Sequence, residues 1–308
     1  MSDRPQLPEG MAVFERGWLS SNNILLTGRH ATALIDSGYA THAAQTLALT
    51  QSALHGRPLD LLLNTHLHSD HCGGNAALQS AYPALQTHIP PGQSAHVRDW
   101  DPHALSYAPT GQICPTFGFD AVLVPGADIR LGDVLWQVHA APGHDPHSVI
   151  LFEPAARVLV SADALWERGF GVVFPELDGV DAFDAVSDTL DLIEALAPRI
   201  VIPGHGPVFV GVESALAFAR QRLDGFAAQP LKHLTYGAKV LLKFKLLEAQ
   251  SLALVDLMAW ATATAYLAKI HRTYFSEIEL APWLMQLVAD LVRSGAATRQ
   301  GSLINNAG

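Results

Sequence analysis

The spacing of apolar positions changes along this chain. Up to about residue 211 most apolar residues fall in short runs closed by Gly, Ser, Asn or Pro. "NNILLTG" and "ATALIDSG" read as a hairpin-like pair of strands, and "LDLLLNTH" is a continuous apolar run of strand length, the pattern of a strand buried on both faces. "DAVLVPG", "VLWQVHAAPGH", "SVILFEP", "RVLVSAD" and "RIVIPGHG" repeat the strand pattern. Helical spacing appears from Ala40 to Leu54, in "GGNAALQSAYP" up to Pro83, and in "DAFDAVSDTLDLIEALAP" up to Pro198. Residues 88–120, rich in Pro, Gly, His and aromatics, predict a long loop or lid. Beyond Gly211 the pattern is helical, in "ESALAFARQRLDGF", "AKVLLKFKLLEAQ", "LVDLMAWATATAYLAKIH" and "PWLMQLVADLVRSG". A short strand or hairpin, "AATRQGSLI", closes the chain. Strands and helices intermixed, then helices alone, predict an α/β domain over 11–215 and a smaller, mostly helical domain over 216–308.

Charge supports a break at the same place. Residues 1–215 hold 23 acidic residues against 9 arginines and no lysine, whereas 216–308 hold all five lysines and five arginines against six acids. Hydrophobic content of 49% is ample for a large core, and no run reaches the length that crosses a bilayer. The start "MSDRPQLPEG" does not read as a secretory signal, and two cysteines are too few for a disulfide framework, so a cytoplasmic protein is expected.

Candidate chemistry concentrates in "NTHLHSDHCGGN", where His66, His68, Asp70 and His71 fall within six positions. His66 and His68, two apart on extended chain, can project to one side; Asp70 and His71 follow in a loop and can aim at a second point. Four groups so close in sequence cannot all reach one small ion, which leaves two metals, or one metal with idle neighbours. Further candidates sit where other strands end: His144 in "APGHD", Asp163 in "VSADA" and His205 in "IPGHGP". His88, His96, His103, His139 and His147 read as ordinary side chains, and Cys72 as packing behind the cluster. Imidazole and carboxylate without thiolate suit zinc, and also iron or manganese.

In order, "ALIDSG", "THLHSDH", "APGH", "SAD" and "PGHG" resemble the motif series of the metallo-β-lactamase superfamily over roughly residues 11–212. That resemblance implies a four-layer αβ/βα sandwich with two metals at one edge. It assigns His66, His68 and His144 to one ion and Asp70, His71 and His205 to the other, with Asp163 bridging and Asp36 behind the ligands. It further implies a dinuclear hydrolase with two zinc ions, a metal-bridging hydroxide and Asp70 as a catalytic group, cleaving a small carbonyl ester, thioester or lactone. The glyoxalase II, lactonase and thioesterase branches are the ones it favours. An endoribonuclease on single-stranded RNA and a mononuclear iron sulfur dioxygenase are the alternatives. A small acyl substrate is expected rather than nucleic acid or membrane, and a homodimer is compatible with the sequence. The C-terminal segment resembles a winged-helix-like appendage. Trp100, His103, Tyr107, Phe117, Trp166, Phe170 and Phe174 are candidate pocket residues, with His233 and Tyr236 reaching in from the C-terminal helices.

Overall fold

A computed structural model describes residues 5–308. One sheet runs in the order β1 (Met11–Phe14), β2 (Asn23–Thr27), β3 (Thr32–Ile35), β4 (Leu61–Leu63), β5 (Gln86–Ile89), β6 (Ala121–Val122). Its first three strands are antiparallel; from β3 onward the pairs are parallel. The second sheet contains β7 (Asp128–Leu131), β8 (Val134–Ala140), β9 (Val149–Glu153), β10 (Val158–Ala162) and β11 (Ile200–Pro203). Because β8 and β10 both run antiparallel to β9, and β11 runs parallel to β10, the C-terminal ends of β8, β10 and β11 lie at one edge.

Strand alternation builds the layers. Ile24, Leu26, Ile35 and Leu63 face the second sheet, where Trp136, Val138, Leu151, Val160 and Ile202 meet them. Their neighbours Leu25, Leu34 and Leu62 point outward onto α1 (Ala43–Leu54) and, through Leu78, α3 (Asn75–Ala81), with the four-residue α2 (Ser69–Cys72) between the two helices in the chain. On the far side Phe152, Leu159 and Val201 are covered by α7 (Phe183–Leu196) and α8 (Val212–Ala228). Helix, sheet, sheet, helix is the αβ/βα sandwich. Each fully buried Leu or Ile contributes roughly 1.5–3 kcal/mol of transfer free energy, so the inter-sheet layer is a major source of stability.

Residues 88–120 are more ordered than a loop. Besides the end of β5 they form α4 (Ser94–Asp99) and α5 (Tyr107–Thr110), and Val97, Leu105, Tyr107 and Phe117 are buried against Leu67 and Cys72. The aromatics there supply a small core of their own. Between β10 and α7 lies α6 (Phe174–Leu177). The C-terminal part has α9 (Pro230–Ala249), β12 (Ser251–Ala253), α10 (Leu254–Ala263), α11 (Ala265–Tyr274), α12 (Leu280–Arg293) and the hairpin β13 (Ala297–Gln300) with β14 (Leu303–Asn306). One helix was expected over "LVDLMAWATATAYLAKIH"; the chain instead breaks at Thr264, whose backbone is extended (φ −73°, ψ 110°) and whose hydroxyl donates to Trp260 O (2.8 Å). A threonine that bonds back to the preceding turn competes with helix continuation. No helix among the described residues is long and apolar enough to cross a membrane.

Candidate metal centre

The end of β4 leads through Asn64 into a bend at Thr65 and His66, and His68 is extended (φ −66°, ψ 148°) before α2 begins. His66 and His68 therefore project from the bent segment that joins β4 to α2, whereas Asp70 and His71 ride on a helical turn that redirects them. That turn is clamped: His71 O accepts from Ser37 N (2.7 Å) and Asn64 Nδ2 (3.2 Å), and Gly74 N donates to Ser37 Oγ (3.1 Å). The two sheets are tied at this edge, where Val149 N donates to Thr65 O (2.9 Å) and Asn22 N to Gly204 O (2.6 Å).

Two groups of ligand-type atoms result, each with its atoms within 4.8 Å of one another: His66, His68 and His144; and Asp70, His71, Asp163 and His205. Asp163 spans the groups. Its Oδ2 lies 3.4 Å from His144 Nε2 and 3.8 Å from His205 Nε2, while Oδ1 lies 3.6 Å from His71 Nε2. Asp70 Oδ2 is 3.1 Å from His205 Nε2, and His68 Nδ1 faces His144 Nε2 at 2.8 Å. Glycine is needed beside the centre, because a Cβ on Gly204 would collide with Asp163 Oδ1 and one on Gly171 with the His144 ring.

Hydrogen bonds outside the groups set the imidazole tautomers. Asp36, buried with left-handed backbone (φ 58°), accepts from Thr65 N (2.9 Å), Thr65 Oγ1 (2.8 Å) and His71 Nδ1 (2.8 Å). Thr65 has spent its proton on Asp36, so His66 Nδ1–H must donate to Thr65 Oγ1 (3.2 Å). His144 Nδ1 donates to Val172 O (2.6 Å). On His66 and His144 this leaves Nε2 as the lone-pair nitrogen toward the cluster, while on His71, whose Nδ1 donates to Asp36, Nε2 is the atom at which a cation would replace a proton; on His66 and His71 Nε2 is buried with no hydrogen-bond partner. Buried, unpartnered acceptors converging on carboxylates fit a cation, which would satisfy them.

Charge distribution fits as well. Burial, reinforced by neighbouring imidazoles, pushes His66 well below the ordinary histidine range and His144 down to about 4, so both are in the neutral, ligating form at pH 7. Burial pushes the Asp163 and Asp70 carboxyls up, but the surrounding imidazoles outweigh it and hold both below their ordinary values, Asp163 by far the more. His71 goes the other way: burial opposes its proton, but Asp36, Asp163 and Asp70 outweigh burial and hold it well above the usual value.

Above the centre is a cleft of about 660 Å³, counting its open mouth. Phe174 packs on His68 (4.7 Å between ring centroids) and His144 (5.6 Å); Trp18 stacks on His205 (5.4 Å), with Trp166 edge-on to both. Trp166 Nε1 also donates to Asp163 Oδ1 (3.1 Å). Of the pocket candidates, Trp166, Phe174 and Tyr236 line the cleft. Tyr107 and Phe117, with Trp100 against them, close the small core instead; Phe170 is buried under α8, His103 borders a neighbouring hollow, and His233 is buried with Nε2 accepting from Val173 N (3.1 Å). Cys72 lies behind the ligands with its Sγ 3.2 Å from Tyr107 Oη and 3.8 Å from Cys114 Sγ. Sequence reasoning missed Trp18, Val240 and Phe244 on the cleft wall, and Asp145, whose Oδ2 lies 3.8 Å from His68 Nε2.

An αβ/βα sandwich with two adjoining His/Asp groups on one edge defines a class of metal-binding sandwich proteins. The sequence model of the metallo-beta-lactamase superfamily matches residues 16–205, and the chain belongs to that superfamily. A hydroxyacylglutathione hydrolase of Anaeromyxobacter dehalogenans is 31% identical over 156 residues, covering 50% of this chain and 51% of the relative. The chain thus spans about half the length of this curated relative, and 60% of a second from Mesorhizobium japonicum that is 28% identical. Among solved structures, a beta-lactamase domain protein from Burkholderia ambifaria aligns with a TM-score of 0.59 at 20% identity, covering 99% of this chain and 94% of that one. TTHA1623 in a di-iron-bound form aligns at 0.54 with 27% identity, over 68% and 98%.

Proposed function

We propose that this chain is a dinuclear metallo-hydrolase that cleaves a small carbonyl ester, thioester or lactone. His66, His68 and His144 would hold one cation and Asp70, His71 and His205 the other, with Asp163 shared. The observation that carries this reading is the Asp163 carboxylate, which faces imidazole nitrogens of both groups at 3.4–3.8 Å. An all-nitrogen and oxygen donor set suits zinc, with iron or manganese compatible; the di-iron form of TTHA1623 favours keeping iron in view. Two bound cations supply Lewis acidity and a nucleophilic water at neutral pH.

The protein's own groups do the rest. Asp70, ionised and open to the cleft floor, orients a water and takes up its proton; Phe174, Trp18 and Trp166 exclude bulk solvent around the reacting carbonyl. Thioester cleavage is favoured by the name of the curated relatives. We further propose a catalytic domain that runs past the expected boundary at residue 215 to include α8, which covers the second sheet, and an appended helical domain from α9 onward that walls the cleft, in a cytoplasmic protein whose partner is its small-molecule substrate. Metal analysis of the purified protein alongside a panel of thioesters, esters, lactones and single-stranded RNA tests the reading. Two metals per chain and saturable acyl turnover are expected, with Asp163→Asn and His205→Ala each losing at least one metal and over a hundredfold in kcat. Full turnover and two retained metals in both variants would overturn it.

A further inference from the structure

The cleft has a wall that the matched region does not contain. Helix α9 is apolar over a wide arc: Leu234, Ala238, Leu242 and Leu246 enter the C-terminal core, while Tyr236, Val240 and Phe244, spaced four apart, line the cleft over the metal centre, Tyr236 and Val240 also packing against the edge of that core. These residues lie beyond residue 205, where the superfamily match ends. The wall is rigid. Tyr236 is stacked against Phe226 (5.8 Å) and lies under the Arg222 guanidinium (4.6 Å), and Phe244 packs edge-on to the buried Tyr39 (5.0 Å). Tyr39 is itself anchored, its hydroxyl accepting from Ile113 N (3.0 Å) and donating to Glu248 (3.1 Å).

Charge is as informative as shape. No lysine or arginine is among the residues lining the cleft; away from the floor, where the cations would sit, Ser106, Thr110 and Gln112 supply a neutral polar rim. A leaving group bearing several carboxylates that extends along the wall, away from the floor, would meet no cationic side chain there and would lose hydration without compensation. An alkyl or aryl group would remove apolar wall from water.

We propose that the cleft selects substrates whose scissile carbonyl carries an uncharged apolar acyl or aryl group, seated against Tyr236, Val240 and Phe244, and disfavours peptide thioesters with carboxylate-bearing leaving groups. This rests on the hydrolase reading for turnover but not for binding, so two measurements separate them. In turnover, straight-chain acyl thioesters of a neutral thiol, from two to eight carbons, are compared with the same acyl groups on glutathione. Here kcat/KM rises roughly fourfold per methylene until the wall is covered, and the neutral series exceeds the glutathione series at every length. In binding, inert methyl alkyl ketones of four to nine carbons are titrated by calorimetry into the protein as purified, and affinity rises with length in the same way. Val240→Asp flattens both slopes; Val240→Thr, nearly isosteric and so less of a risk to folding, reduces them. Length-dependent ketone binding without turnover of any ester would sink the hydrolase reading and keep this one. Turnover that is flat in acyl length and fastest on glutathione thioesters, with flat ketone binding, would overturn the proposal while leaving the hydrolase intact.

Discussion

Asp36 touches no ligand position of the first group, yet it controls a ring in each group. Its Oδ1 accepts from Thr65 N and its Oδ2 from both Thr65 Oγ1 and His71 Nδ1. In Asp36→Asn the amide oxygen can keep the Thr65 N bond, which turns the NH2 toward Thr65 Oγ1 and His71 Nδ1. His71 Nδ1 then becomes an acceptor and its remaining proton moves to Nε2, the atom facing Asp163. Thr65 Oγ1, now accepting, is free to donate to His66 Nδ1 and flips that ring as well. Asparagine tolerates the left-handed backbone at this position (φ 58°), so the fold should survive where alanine would add strain. Loss of such a supporting contact costs about 10–100-fold in metal affinity, or about 1.4–2.7 kcal/mol. Because a ring in each group is affected, both cations should weaken by that amount. The assay is chelator competition with zinc on wild type and Asp36→Asn, with near-ultraviolet circular dichroism as a check that packing is retained. A folded variant binding both metals within twofold of wild type would refute the tautomer argument.

Two further predictions concern protons. Because Asp36, Asp163 and Asp70 overcome burial and raise the His71 proton affinity well above normal, the metal-free ring holds a proton more tightly than a free imidazole, and a cation at Nε2 must compete with it. Calorimetric metal titrations in two buffers of different ionisation enthalpy should show at least one proton released per chain, with affinity falling about tenfold per pH unit on acidification; buffer-independent heats would contradict this. His233 is depressed by burial, and then by Arg222, to about 4, below the unfolded value near 6.5. A group held neutral in the folded state lets the unfolded chain bind the extra proton, so its stabilisation is complete above about pH 6.5 and is lost as pH falls toward 4, up to about 3 kcal/mol. Urea midpoints of metal-free protein at pH 7 and 4.5 should therefore converge more in His233→Leu than in wild type. An unchanged pH difference would show that other groups carry it.

What the sequence disclosed and what it hid divide along the distance over which each feature is specified. The four ligand candidates from His66 to His71 are placed by the segment after one strand and one helical turn, so their crowding was legible from spacing, while their division into two groups came from the family resemblance. His144, Asp163 and His205 were legible because each follows an apolar strand, and β8, β10 and β11 end at the same edge. Trp18 has no such marker: it sits in a turn after β1, and long-range hydrogen bonds, from Asn22 to Pro203, Gly204 and Gly206 and from Ser21 N to Asp70 O, bring that turn to His205. The face of α9 that walls the cleft was hidden for a related reason. A helix apolar on both sides carries no sign of which side meets its own core, and Tyr236 could be singled out while Val240 and Phe244 looked like more core. Thr264 shows the converse, since an apolar helical period runs through it unbroken and only its hydroxyl bond back to Trp260 marks the corner. The candidate metal centre is thus written mainly in local motifs, whereas the walls of the cleft above it are assembled from segments more than two hundred residues apart, from Trp18 to Phe244. Relatives that share the motifs can therefore share the chemistry of the centre while differing in what they admit to it.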